Sequence, residues 1–200
     1  MPNPEGQGGV SMLDLVVNSL RMRPDRILVG EIRRKQEAEV LFEAMHTGHS
    51  VYATIHANNA DETVTRLTNP PIDIPKLVLP ALSLILVQNR NRRTGKRRTL
   101  QLAEITPTGD PNILMQLDYR ADILKPANKS KTIYDTLELY TGMNAAEINA
   151  DLKEKADLLR SLVKQKVNDV HEVGHIIATY YGEKSAKEKL EEIKKQKKGE

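Results

Sequence analysis

Leu13, Val16, Val17 and Leu20 recur at the spacing of one helical face. Ser11 stands where such a helix takes its N-cap, Asp14 follows three residues on, and Pro24 ends the segment. Ile27, Leu28 and Val29 then form a continuous apolar run that stops at Gly30-Glu31. A run apolar at every position predicts a strand buried on both faces of a parallel sheet. Ala38, Leu41, Phe42 and Met45 make a second helical stripe, with Gly48 placed to close it. Ser50 to Ile55 reads as another strand, rich in β-branched and aromatic residues. Asn58 or Asn59 caps a short helix carrying Val64 and Leu67, and Asn69-Pro70-Pro71 stops it. Pro75 suits the first turn of a further helix, and Leu84 to Gln88 returns to strand.

The pattern then changes. Asn91 to Lys96 reads as a turn, Thr99 to Ile105 as the returning strand of a hairpin, and Ile113 to Tyr119 as one more strand. From Ala145 the chain is helical: Asn144 caps, and Ile148, Leu152, Ala156, Leu159 and Val163 follow at helical spacing. Asp169 caps another helix with Val170, Val173, Ile177 and Tyr180 on one side. Ser185 to Lys198, nearly all Lys, Glu and Gln, is expected to be a solvated or fraying helix. Alternation of helix and buried strand is the α/β signature. The expected organisation is an α/β part over 1–106, a connector with short strands over 107–132, and a helical region with a charged tail over 133–200. No internal repeat is present.

Composition narrows the picture. One Phe and no Trp leave Leu, Ile, Val and Ala to build the core. The absence of Cys excludes disulfides and thiolate metal sites and fits a reducing compartment. The longest apolar run, Leu77 to Val87, is broken by Pro80 and Ser83, short of the roughly 18 residues a membrane span needs. Met1 to Gly9 has no apolar region of the signal-peptide kind. A soluble, cytoplasmic protein is expected, reaching the inner membrane face through a partner. The net charge of +3 hides an asymmetry: six basic residues lie between Arg90 and Arg98 with no acid, leaving −3 elsewhere. Basic character is thus local. A solvated hairpin tip or an intersubunit surface is favoured over nucleic-acid or anionic-lipid binding, and nucleic acid is not expected as a partner.

Two stretches carry chemistry. In Arg23-Pro24-Asp25-Arg26-Ile27-Leu28-Val29-Gly30-Glu31-Ile32-Arg33 an apolar strand delivers a carboxylate at its carboxyl end. Open α/β sheets bind ligands there. A carboxylate so placed, here Glu31, can hold Mg²⁺ through water and orient a water for attack on a γ-phosphate. Gly30 permits close backbone approach, and the Arg33 fork suits phosphate oxygens. The plain alternative is a buried strand followed by solvated charges. The second stretch, Thr47-Gly48-His49-Ser50-Val51-Tyr52-Ala53-Thr54-Ile55-His56, runs from a helix end through a strand to His56. If the two strands are parallel, His56 and Glu31 emerge on one edge. His56 would there donate to a phosphate oxygen or link nucleotide state to a neighbouring element; a satisfied structural histidine is the alternative. His46, His49, His56, His171 and His175 form no His-Glu-x-x-His pattern, so a histidine metal site is not expected.

An apolar run ending Gly-Glu-x-Arg, followed by Thr-Gly-His-x-x-x-x-Thr-x-His and preceded by Arg-x-Arg-Pro-Asp, resembles the secretion and pilus ATPase superfamily. Its members power type II and type IV secretion, type IV pili and the archaellum. The resemblance covers about Gly6 to Ile105. Tyr134 to Tyr181 is similar to the helical C-terminal region of the archaeal branch. It implies a RecA-like core with Glu31 as the Walker B catalytic carboxylate and His49 and His56 as His-box histidines. Catalysis falls to Glu31 and His56, and nucleotide contacts to Gly30, Arg33, Thr47, Gly48 and His49. It further implies ATP and Mg²⁺ as cofactors, a hexamer with nucleotide at the subunit boundary, and a membrane platform protein as partner.

The departure from that family is the phosphate-binding loop, Gly-x-x-x-x-Gly-Lys-Ser/Thr, which the family places upstream. Gly95-Lys96-Arg97 lacks the leading glycine and the hydroxyl. The chain is therefore expected to be the downstream part of the RecA-like domain, inactive alone and needing an upstream half that carries the loop. The competing readings are a non-catalytic partner of such a motor, and a nucleic-acid-binding module using the basic hairpin 90–98.

Overall fold

The computed structural model describes residues 9–196, with side chains through residue 185. The chain forms a mixed α/β structure divided into two compact units, Met1–Tyr140 and Thr141–Glu200. In the first unit α1 (Met12–Leu20), β1 (Arg26–Val29), α2 (Lys35–His46), β2 (Ser50–Ala53) and α3 (Ala60–Thr68) follow in order. A 3₁₀ helix (Lys76–Ala81) leads into β3 (Leu84–Arg90), β4 (Arg97–Ile105), β5 (Pro111–Asp118), β6 (Ile123–Pro126) and α4 (Ile133–Thr141).

α1 begins as its sequence dictates. The Ser11 hydroxyl accepts from the Asp14 N–H, and the Asp14 carboxylate accepts from the Ser11 N–H at 2.9 Å, a reciprocal capping box. At the far end of α2, Gly48 takes φ +90°, and the His49 N–H reaches back to the Ala44 carbonyl at 3.0 Å. The chain thereby reverses into β2, which pairs with β1 in parallel: Arg26 opposite Ser50, Val29 opposite Ala53.

β1 is not buried on both faces, contrary to what its unbroken apolar run predicts. Ile27 and Val29 are buried, but Leu28 is 77% exposed, and its register partner Tyr52 is 59% exposed. Val16, Ala38, Leu41 and Phe42 from α1 and α2 share a core with Ile27 and Val29, so this two-stranded sheet is covered on one side. The segment after Pro75 also differs from expectation. It is a short 3₁₀ helix with Pro80 inside it rather than an α-helix.

β3, β4, β5 and β6 form a second, antiparallel sheet in simple meander order. β5 was legible in the sequence; β6 lies in the expected connector with short strands and α4 in the expected helical region, though their own bounds were not readable. The sheet continues across the 106/107 boundary drawn from the sequence, turning there through a Thr106–Asp110 loop in which the Thr106 N–H donates to the Asp110 carbonyl. Ile85, Val87, Leu100, Ala103, Ile105 and Leu117 bring this sheet into the same core as β1 and α2.

One buried carboxylate organises the strap after β6. Glu104, fully buried on β4, accepts from the Asn112 and Ser130 side chains, from the Thr132 hydroxyl, and from the N–H groups of Lys131, Thr132 and Ile133. Burial pushes its pKa up, but these hydrogen bonds prevail and hold it at about 2.

The second unit contains α5 (Ala145–Gln165) and α6 (Val170–Gln196). Asn144 caps α5 through the Ala146 and Glu147 N–H groups, and Lys166 ends it at φ 60°. Asp169 accepts from the His171 and Glu172 N–H groups at the start of α6. Asp151 joins the two helices, pairing with Lys155 at 2.6 Å and with Lys184. The charged stretch from Ser185 lies within α6 up to Gln196, but its side chains beyond 185 lie outside the described residues. Among the described residues no helix is long and apolar enough to cross a membrane.

Candidate functional site

Parallel pairing of β1 and β2 places both carboxyl ends on one edge, and the pairing runs on past the strands. The Ile32 N–H donates to the Thr54 carbonyl at 2.9 Å, and the Thr54 hydroxyl donates to the Gly30 carbonyl. These two ties flank Glu31 and fix the direction in which it leaves the sheet.

The Glu31 carboxylate is mostly covered, with a side-chain exposure of 22%. Its Oε2 accepts from Arg33 Nε at 2.7 Å and lies 2.5 Å from a second guanidinium nitrogen. Its Oε1 lies 3.3 Å from His56 Nε2. The Arg33 hydrogen bond holds the Glu31 pKa below the ordinary carboxylate value, and the same bond raises that of Arg33. Arg33 is itself fixed from behind: Glu37, in the first turn of α2, accepts from the Arg33 and Arg34 N–H groups at 3.1 and 3.2 Å. A cleft of about 540 Å³ opens over Glu31, Arg33 and His56, with Glu62, Arg66 and Pro71 on its other wall. An added Cβ at Gly30 would meet nothing within 4 Å, so packing within this chain does not demand a glycine there.

Glu31, Arg33 and His56 are therefore brought together, with Gly30 beside them. Thr47, Gly48 and His49 are not. They precede β2 and lie at its amino end, across the sheet from that edge. There they finish α2: the Thr47 hydroxyl donates to the Glu43 and Ala44 carbonyls at 3.0 Å, and His49 Nδ1 lies 3.2 Å from that hydroxyl. His46 Nδ1 donates to the Phe42 carbonyl at 2.8 Å on the same helix end. Among the described residues no group of three or more His, Asp or Glu gathers in a way that could hold a metal ion.

Sequence reasoning missed Glu62 and Arg66, and gave no separate site role to Thr54, which it had only as part of the second motif, or to Asn58, which it had only as a cap candidate. The Glu62–Arg66 pair had a readable signal, opposite charges four residues apart on a helix. The basic hairpin is also qualified. Arg98 donates to Asp122 through two nitrogens at 2.8 and 2.7 Å, and Lys96 lies 3.8 Å from the same carboxylate. Every residue from Gln88 to Arg98 is exposed.

The model of the family described as Type II/IV secretion system protein matches residues 3–167. The chain belongs to that family. A Methanocaldococcus jannaschii chain called Uncharacterized protein MJ1287 is 34% identical over 168 residues, which cover 80% of this chain and 61% of that one. The type IV pilus assembly ATPase PilB of Myxococcus xanthus is 44% identical over 85 residues, 42% of this chain and 15% of its own. Among solved structures, the Legionella pneumophila ATPase DotB aligns over 49% of this chain and 28% of its own, at 28% identity and a TM-score of 0.41. The chain thus spans less than two thirds of the length of each of these relatives.

Proposed function

We propose that this chain is the hydrolysis-side part of a secretion or pilus motor ATPase. The observation that carries the proposal is the meeting of Glu31 and His56 at the carboxyl edge of a parallel strand pair. That edge is where open α/β sheets take their ligands. Similarity to a type IV pilus assembly ATPase supports the same reading.

In this reading Glu31 orients the attacking water, and its depressed pKa keeps it ionised and able to do so. Mg²⁺ is commonly held by one or two carboxylates together with substrate phosphates and several waters, and a single partly covered carboxylate fits that role through water. Bound there with ATP, Mg²⁺ would neutralise phosphate charge. Arg33 is mostly exposed and has a guanidinium able to exchange Glu31 for a phosphate oxygen. His56 reports on, or contacts, the same oxygens. Gly30 leaves open space for close approach. Thr47, Gly48 and His49 contribute by fixing where β2 starts, and so where His56 ends up.

The phosphate cradle comes from an upstream half that carries a P-loop. Support comes from a cavity of about 270 Å³ between the parallel pair and the antiparallel sheet, lined by Val51, Ala53 and Ile55 on one side and Leu84 and Leu86 on the other. Apolar strand edges facing a gap suit a further strand. The complete motor is a hexamer, cytoplasmic, docked on a membrane platform protein. The 1–106 segment serves as the downstream part of its RecA-like ATPase domain, with 107–132 connecting to the helical 133–200 region.

The test is reconstitution with an upstream segment bearing a P-loop, followed by measurement of ATP turnover. Turnover that depends on both pieces and is lost in Glu31→Gln supports the proposal; undiminished ATP hydrolysis by the Glu31→Gln assembly removes it. The chain alone should bind Mg-ATP weakly or not at all, and tight one-to-one binding by calorimetry would show a self-sufficient site.

A further inference from the structure

We infer that Glu62 and Gln101 are positioning residues that set His56 against Glu31 through the first turn of α3. The inference rests on the proposed hydrolysis site, but its geometry involves residues that the site's chemistry does not use.

His56 sits in a short link between Ala53, which ends β2, and Ala60, which starts α3. Its imidazole is 83% exposed, with Nε2 3.3 Å from Glu31 Oε1. Packing does not hold an exposed ring in place, so its position depends on how the two ends of the link are fastened. The β2 end is fastened to β1 by the Thr54 ties to Gly30 and Ile32.

The α3 end is fastened by Glu62. Asn58 donates to Glu62 Oε2 twice, from its backbone N–H at 2.9 Å and from its side-chain amide at 2.7 Å. Arg66 Nε donates to the other oxygen at 3.0 Å. Hydrogen bonds to an ionised acceptor are roughly twice as strong as neutral ones. The Asn58 bonds, with Arg66 behind them, hold the Glu62 pKa below its ordinary value, so the carboxylate stays charged. These bonds are not needed to cap the helix. Asn59 already does that, its side chain accepting from the Glu62 N–H at 2.7 Å. The Glu62 carboxylate instead reaches back along the link toward His56. It also lines the same cleft as Glu31, Arg33 and His56.

A second tie extends the path. The first N–H groups of a helix have no intrahelical partner. Ala60 is fully buried, so water cannot serve its N–H. The Gln101 side-chain oxygen on β4 accepts it at 2.9 Å, and the Gln101 amide nitrogen donates to Gln116 on β5 at 2.9 Å. The antiparallel sheet thereby grips α3 within four residues of His56. A shift of that sheet moves the first turn of α3, and with it the imidazole relative to the Glu31 carboxylate.

The experiment uses the full chain, isotope-labelled and paired with the P-loop-bearing upstream half, at one fixed pH and without nucleotide. It reads amide exchange at Asn58 and Ala60 together with the His56 ring resonances. In Glu62→Ala the Asn58 amide should exchange at least tenfold faster, and the His56 ring signals should move to those of Glu31→Gln, in which the carboxylate contact is lost. Glu62→Gln retains an acceptor for Asn58 and should restore the wild-type ring signals. Gln101→Ala should speed Ala60 exchange and displace the ring signals in the same direction. If Glu62→Ala fails to fold, Gln101→Ala and Glu62→Gln still decide. Faster amide exchange with unchanged His56 ring signals would mean that these residues only stabilise α3, and the inference would be wrong. Failure of the hydrolysis reading would appear separately, as a reconstituted motor indifferent to Glu31→Gln.

Discussion

His56 Nε2 stands 3.3 Å from Glu31 Oε1, while Arg33 occupies the other oxygen of that carboxylate. The contact joins the ends of two strands and sets an imidazole and a guanidinium around one carboxylate. Glu31→Gln keeps the shape of the side chain but removes the charge that both neighbours hold. If Glu31 has the proposed water-orienting role, the reconstituted motor carrying this change should lose turnover while still binding nucleotide. His56→Ala should lower turnover as well. Steady-state ATPase rates beside fluorescent-nucleotide binding check both, and unchanged rates for Glu31→Gln would remove it from catalysis.

Glu104 should make the first unit less stable in acid. Its pKa is about 2 in the folded chain against an ordinary 4.5. A folded-state pKa below the unfolded value contributes stability that is fully present above the unfolded value and is lost as pH falls through the folded one. The window here is from about 4.5 down to about 2, and the difference corresponds to roughly 3 kcal/mol. Glu104→Gln should lower the stability of the unit at pH 7 by an amount of that order and flatten its pH dependence in this window. Urea melts at pH 7 and pH 3 measure it. Equal losses at both pH values would assign the effect to packing rather than charge.

The basic hairpin should behave as a surface charge cluster. Asp122 neutralises part of it through Arg98 and Lys96. Asp122→Ala should therefore raise the salt concentration at which the chain elutes from heparin, with little change in thermal stability, since exposed ion pairs contribute only about 0–1 kcal/mol. Binding of the wild type to duplex DNA should be lost by physiological salt. Tight DNA binding that persists there, with a steep salt slope, would favour the nucleic-acid reading instead.

What was legible in the sequence was mostly local. Ser11, Asn144 and Asp169 were readable as caps, and Asn59 as one of two candidates with Asn58, because a cap depends on side chains a few residues away. The edge carrying Glu31 and His56 was readable because each lies just past an apolar strand, and parallel pairing then brings them together. Exposure of Leu28 was not readable, because whether a second face is covered depends on elements distant in the chain. β6 was not located within the expected connector with short strands because Ile-Leu-Lys-Pro is too short to show alternation. Glu104 was missed because its partners at 130–133 come from beyond two further strands, and nothing near it in sequence announces burial.

The gap between β2 and β3 makes the strongest physical demand on this fold. Among the described residues β2 pairs with β1 alone, and β3 with β4 alone, so each presents an edge. Val51, Ala53, Ile55, Leu84 and Leu86 line the space between those edges. Leu86 and Tyr52 are 57% and 59% exposed. A strand edge offers unpaired backbone donors and acceptors, and apolar flanks discourage water from serving them. Each such group left buried and unpaired costs about 1–3 kcal/mol, large against a total stability of roughly 5–15 kcal/mol. A parallel strand inserted here would pair both edges and cover the apolar side chains. Without it, the first unit should aggregate or lose fixed packing while the α5–α6 pair stays folded. With a P-loop-bearing upstream half present, amides of β2 and β3 should become strongly protected from exchange. Circular dichroism and amide exchange on the chain with and without that half provide the measurement. A monodisperse monomer already showing strong protection across Ile27 to Val29 and Val51 to Ala53 would mean that this part folds alone and that the gap needs no strand.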